Sequence, residues 1–181
     1  MNLIAGLQNF DDNTNTIAWM DRPFKCTCFC LERPELSVYW GQLDNTSCLI
    51  GKVKEPCTCV DINMDICDPG NNIRYAIQAD GCQCGIVCRG SPCGKCSEVT
   101  FPIYNNNIEV KEFGNRNGTI QRKFNGCAKA TFTNADNFEI TFPIGSSPED
   151  KLLMIGTALM IDYRYYNEDP DEGNTSIEIV L

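Results

Sequence analysis

Hydrophobic and polar positions alternate most plainly at Phe138, Ile140 and Phe142, with Glu139 and Thr141 between them, which predicts a strand buried on one face. Shorter segments rich in β-branched and aromatic residues, each bounded by turn signals, predict further strands. They run Thr16–Met20, Leu36–Trp40, Leu49–Val53, Ile73–Gln78, Val99–Tyr104 and Asn107–Phe113. Asp68-Pro69-Gly70-Asn71-Asn72 and Asn115-Arg116-Asn117-Gly118 carry turn chemistry, the second that of a hairpin loop.

The pattern changes near the end of the chain. From Leu152 to Ile161 every residue is apolar or small, fenced by Lys151 and Asp162. At ~1.5 Å per residue such a helix covers roughly half of a ~30 Å hydrocarbon core. Extending it to Tyr166 would place Asp162 and Arg164 in lipid, at about 2.5 to 3.5 kcal/mol each. The segment therefore predicts a core helix at about 150–166, with Leu152, Leu153, Ile155, Leu159 and Ile161 packed against protein. A helix apolar on every side and outside a membrane has to be surrounded by its own chain. With so many short strands, the expected fold is mainly β, a barrel or a sandwich, and the apolar segment suggests a sheet wrapped around one hydrophobic helix. The domain is expected to span 1–167, and 168–181 reads as an acidic tail in which Ser176–Leu181 has strand character.

Composition narrows the chemistry. The chain has 181 residues, 43% of them hydrophobic, and a net charge of −9. That charge repels phosphate backbones, so nucleic acid is not an expected partner. The absence of histidine removes histidine-dependent triads, histidine-ligated zinc and imidazole bases, and most familiar hydrolase chemistry with them. Arg122, Lys123 and Lys129 form a small basic spot that reads as a solvated strand face. The start Leu3-Ile4-Ala5-Gly6-Leu7 is too short for a signal-peptide core, and the expected location is the cytosolic side. The sequons at Asn45, Asn117 and Asn174 therefore carry no weight.

Thirteen cysteines, an odd number, cannot all pair within one chain. Cys82, Cys84, Cys93 and Cys96 lie among glycine and proline turns that suit a tetrahedral structural Zn²⁺ site; Cys57 and Cys59 offer an alternative pair, and free thiols are the competing reading. Cys26, Cys28 and Cys30 would share one face of a strand, as buried thiols do.

From Lys129 to Pro143, and on through Lys151-Leu152-Leu153-Met154-Ile155-Gly156 and Ile161-Asp162-Tyr163, the chain resembles the C-terminal signature of the phospholipid scramblase family. Asp21-Arg22-Pro23-Phe24-Lys25-Cys26 resembles the approach to that family's palmitoylated cysteines, and Gly118–Phe124 a basic, partly nuclear-import-like segment. The resemblance implies a tubby-like barrel closed around the helix, with further strands ahead of the point where this sequence starts. Without them, sheet edges and part of the helix would be uncovered. It implies S-acylation at Cys26, Cys28 and Cys30 and calcium-stimulated, ATP-independent, bidirectional movement of membrane phospholipids, with no covalent catalysis. The location it implies is the cytosolic face of the plasma membrane or of an intracellular membrane. It also places a calcium segment at Asn134, Asp136 and Glu139. Read physically, that stretch has Phe138 and Phe142 where ligands should be, so any Ca²⁺ site there is expected to be weak. The alternative is an acyl-tethered tubby-like module that binds protein partners and transports nothing; a third reading is a fragment without function.

Overall fold

In a computed structural model, the structure describes residues 3–9, 12–23, 33–41, 48–58, 61–83, 86, 98–105, 118–123, 137–166 and 178–180. The strands are β1 (Leu3–Asn9), β2 (Asp12–Arg22), β3 (Glu35–Trp40), β4 (Cys48–Lys54), β5 (Ile62–Cys67), β6 (Ile73–Ala79), β7 (Val99–Asn105), β8 (Gly118–Lys123), β9 (Asn137–Thr141) and β10 (Glu178–Val180). The helix α1 (Pro148–Tyr165) stands between β9 and β10.

One sheet takes all ten strands in sequence order. β1 to β9 pair antiparallel with their neighbours, and β10 runs parallel to β9. Nothing among the described residues joins β10 back to β1, so the wall is open, with these two strands as its edges. The inward positions alternate as a half-buried sheet requires. They include Leu36 and Val38, Met64 and Ile66, Phe101 and Ile103, and Phe138 and Ile140, all buried.

The curl of the sheet follows from what touches the helix. Leu36 and Val38 of β3 and Met20 of β2 crowd Gly156, and the Leu153 methyl groups approach Gly51 of β4. Arg74 and Tyr75 of β6 reach Asp150 at the helix start, while Arg122 of β8 and Phe138 of β9 lie on Tyr166 just past its end. Strands spread across the sheet can meet one helix only if the sheet wraps around it. Leu153 through Ala158 are buried without a break, so α1 has no solvent stripe along its middle. This is the barrel around a helix expected from the apolar run, with its wall open.

Local sequence explains the boundaries. Ser147 caps α1: its hydroxyl accepts from the Asp150 amide at 3.2 Å, while the Asp150 carboxylate accepts from the Ser147 amide at 3.0 Å. This reciprocal box satisfies two orphan donors, and Pro148 needs no donor at the first helical position. The turn from β5 to β6 runs through Asp68–Asn72, where Asp68 accepts from the Asn72 amide at 2.9 Å and Asn71 takes a left-handed conformation that Asn tolerates.

Three strands lie outside the expected set, β1, β5 and β8, although Arg122 and Lys123 of β8 read as a strand face. In β5, Ile62, Met64 and Ile66 face inward while Asn63 and Asp65 do not, a period-two pattern in a short segment just after cysteines. β10 gives the strand character of Ser176–Leu181 a place, on the β9 edge. Asn107–Phe113 and the acidic run Glu168–Gly173 fall outside the described residues.

Replacing Leu153 with Ala should cost about 2 to 5 kcal/mol, since the side chain is fully buried and its cavity cannot collapse against a curved wall. A Cβ at Gly51 would collide with the backbone carbonyl of Cys67, so Gly51→Ala should cost about 1 to 3 kcal/mol. Urea denaturation of the two variants measures both losses.

Candidate functional site

A buried helix leaves two ends to be closed, and each is closed by charge. At the start, the Asp150 carboxylate is 2% exposed and receives a fork from Arg74, with Nη1 at 2.8 Å and Nη2 at 3.1 Å. The Tyr75 hydroxyl donates to the same carboxylate at 3.3 Å, and burial pushes that hydroxyl's pKa up, helped by the Asp150 charge. One carboxylate thus caps the helix and pins it to β6. This end reads as structural.

The other end is richer. Glu55, just after β4, is 4% exposed. Its carboxylate accepts from Arg33 Nη2 at 2.7 Å, from Arg164 Nε at 3.4 Å and from the Tyr165 hydroxyl at 3.2 Å. Arg22, the last residue of β2, lies over the Tyr163 ring at 4.4 Å. Arg122 of β8 lies over the Tyr166 ring at 4.1 Å. Four of the chain's seven arginines therefore surround the last turn of α1. Cations are favourable there because the helix carbonyls point toward that end.

Burial is the largest influence on Arg22 and lowers its pKa, with the electrostatic attraction of Tyr163 acting the other way. Burial is also the main cause that pushes the Tyr165 hydroxyl up to about 12, with the Glu55 charge adding to it. The Nε–H groups of Arg22 and Arg33 are buried with no hydrogen-bond acceptor. Partly desolvated guanidiniums with unused donors form a surface that can accept anionic oxygen.

The residues singled out from the sequence are distributed differently. Cys26, Cys28 and Cys30 lie outside the described residues, but their segment leaves from Pro23, next to Arg22, and returns at Arg33, so both of its attachments are at the arginine end. Asn134 and Asp136 also lie outside the described residues. Glu139 of β9 is 50% exposed and pairs with Lys123 at 3.4 Å. Cys82 is an exposed free thiol whose amide donates to Asp80, while Cys84, Cys93 and Cys96 lie outside the described residues. Among the described residues no three His, Cys, Asp or Glu side chains are grouped so as to hold a metal. Leu153, Ile155 and Ile161 are buried, and Leu152 and Leu159 are half-buried against the core. Among the described residues no helix is long and apolar enough to cross a membrane.

Pattern reading passed over Arg22, Arg33, Glu55 and the Tyr163-Arg164-Tyr165-Tyr166 run as a group. The available signal was arginines at element ends beside a tyrosine-rich helix terminus. Only the fold brings them together.

A family model described as Scramblase matches residues 6–168. The chain belongs to the scramblase family. It is similar to phospholipid scramblase 4 of Mus musculus, 33% identical over 162 residues that cover 85% of this chain and 43% of that protein. Phospholipid scramblase 4 of Homo sapiens is 31% identical over 86% of the chain and 43% of its own length. For phospholipid scramblase 2 of Bos taurus the figures are 25%, 86% and 48%. The chain thus spans less than half the length of these scramblase relatives. No solved structure matches it.

Glu55→Gln should lower stability by about 3 to 5 kcal/mol, since it leaves the guanidiniums of Arg33 and Arg164 without their carboxylate; chemical denaturation measures it. Because Tyr165 has a raised pKa in the folded state, its contribution is complete below the ordinary value of 10 and is lost as pH rises from there to about 12. Tyr165→Phe should flatten that alkaline fall in stability and remove a tyrosinate absorbance step near pH 12.

Proposed function

We propose that this scramblase-family chain moves phospholipids between bilayer leaflets, bidirectionally and without ATP, stimulated by calcium and anchored through acyl chains on Cys26, Cys28 and Cys30. The observation that carries the reading is the family match over residues 6–168, together with relatives named phospholipid scramblases. The seat proposed for it is the cytosolic face of the plasma membrane or of an intracellular membrane.

The burial of α1 bears on how the chain would meet lipid. Leu153 to Ala158 are enclosed by the chain's own sheet, so this helix is occupied as a core and cannot serve as an anchor without opening the fold. Fatty chains on sulfur supply the alternative, at ~0.8 kcal/mol per buried CH₂, and two or more chains hold where one is marginal. Calcium would act at Asn134, Asp136 and Glu139 through a weak site, since Glu139 must first give up Lys123. Cys82, Cys84, Cys93 and Cys96 would hold a structural Zn²⁺ with no open position for catalysis.

A second reading rests on the same burial. A helix used as core offers lipid no hydrophilic path, which favours an acyl-tethered module that recruits protein partners and transports none.

Purified chain in liposomes bearing a fluorescent lipid in both leaflets separates the readings. Calcium-dependent exposure of inner-leaflet lipid to dithionite is expected; protection of that lipid with and without calcium would rule out transport. In cells, Cys26→Ser combined with Cys28→Ser and Cys30→Ser should release the chain from membranes on fractionation, and retention would refute the acyl anchor. Elemental analysis should find one zinc per chain, lost in Cys93→Ser with Cys96→Ser.

A further inference from the structure

We infer that the wall carries a seam between β6 and β7 at which it opens, and that the side chain of Gln83 is the latch that holds the seam shut. The latch involves no lipid and stands apart from the transport reading.

β6 and β7 pair antiparallel at Tyr75↔Asn105, Ala76↔Tyr104 and Ile77↔Ile103. The same register would set Gln78 against Pro102 and Ala79 against Phe101, all of them within the two strands, yet the ladder stops before them. β4 and β5 also share three pairs, but those fill their whole overlap, since β4 ends at Lys54 and β5 at Cys67.

Pro102 explains the break. Alternate residues of a strand turn their N–H and C=O toward the same neighbour. Thr100 turns both to Gln83, away from β8 and toward the β6 side. Pro102 and Tyr104 therefore face β6 as well, and Pro102 has no N–H to give. The Gln78 carbonyl loses its donor, and the ladder ends one pair earlier, at Ile77↔Ile103.

Past the break a side chain stands in for the missing strand. The Gln83 carboxamide accepts from the Thr100 amide at 3.0 Å and donates to the Thr100 carbonyl at 3.0 Å, the two bonds a paired strand residue would exchange there. The turn after β6 sets Gln83 in place. Its amide donates to the Asp80 carbonyl at 3.3 Å, the Cys82 amide donates to the Asp80 side chain at 2.8 Å, and Ile86, whose amide donates to the Gln83 carbonyl at 2.9 Å, packs against the core.

A carboxamide on a rotatable side chain can let go without unfolding either strand. Behind it lie Ile77, Phe101 and Ile103, all fully buried. Each flank of the seam also keeps its own hold on α1. β6 holds Asp150 through Arg74 and Tyr75, while β8 and β9 meet Tyr166 through Arg122 and Phe138. The wall can thus part between β6 and β7 with both ends of the helix still attached.

Hydrogen–deuterium exchange of the full chain, resolved to single amides, tests the latch. Gln83→Ala should speed exchange at Thr100 and, together with it, at Ala76 and Tyr104 across the seam, roughly thirtyfold for two lost hydrogen bonds. Amides of β3 and β4 should keep their wild-type rates. Pro102→Ala combined with Gln83→Ala returns the missing N–H to the ladder and should bring Ala76 and Tyr104 back near the wild-type rate. Acceleration at Thr100 alone would make Gln83 a local cap and overturn the inference. Unchanged exchange at all three amides, equal acceleration in β3 and β4, or no recovery with Pro102→Ala would overturn it too. Exchange is read without lipid or calcium, so a failed dithionite assay leaves the latch standing, and a failed exchange assay does not decide transport.

Discussion

The structure depends on the burial of a helix that has no polar face. α1 carries apolar or small residues all around its middle, and only a wall that encloses it removes that surface from water. A flat sheet would cover one side. The curvature of β2 to β9 is thus a consequence of the helix sequence, and the small residues at the closest approaches allow it. Gly156 accepts Leu36, Val38 and Met20 at its surface, and Gly51 lets the β5 backbone come near.

Enclosure creates a second requirement at the helix ends, where backbone groups lack intrahelical partners. The two solutions differ in kind. At the start one carboxylate, Asp150, does all the work, forking with Arg74 and closing the Ser147 box. At the finish Glu55 joins Arg33 and Arg164, and aromatic rings lie against Arg22 and Arg122. The first arrangement neutralises itself. The second gathers arginines and tyrosines from distant strands, and the segment with Cys26, Cys28 and Cys30 is attached to that same end.

The chain belongs to the scramblase family. The open edges at β1 and β10 belong to the same picture: the described sheet wraps the helix without closing on itself. In the relatives the corresponding region is less than half of a longer protein.

Local patterns were enough for the mainly β class and for the position of the apolar helix and its use as core, because periodicity and the all-round apolarity of Leu152 to Ile161 are properties of neighbouring residues. They also placed the turn at Asp68–Asn72 and most strands to within a few residues. They passed over β5, whose Ile62, Met64 and Ile66 pattern is short, β8, and β1 at the edge. What only the tertiary structure decided is the grouping of charges. Arg22, Arg33, Glu55, Arg122 and Arg164 are separated by up to 142 positions along the chain. They meet because curling the sheet around α1 brings the ends of β2, β4 and β8 to the same turn of the helix. No spacing rule along a sequence encodes that meeting, since it is fixed by how far the wall must bend to bury the helix.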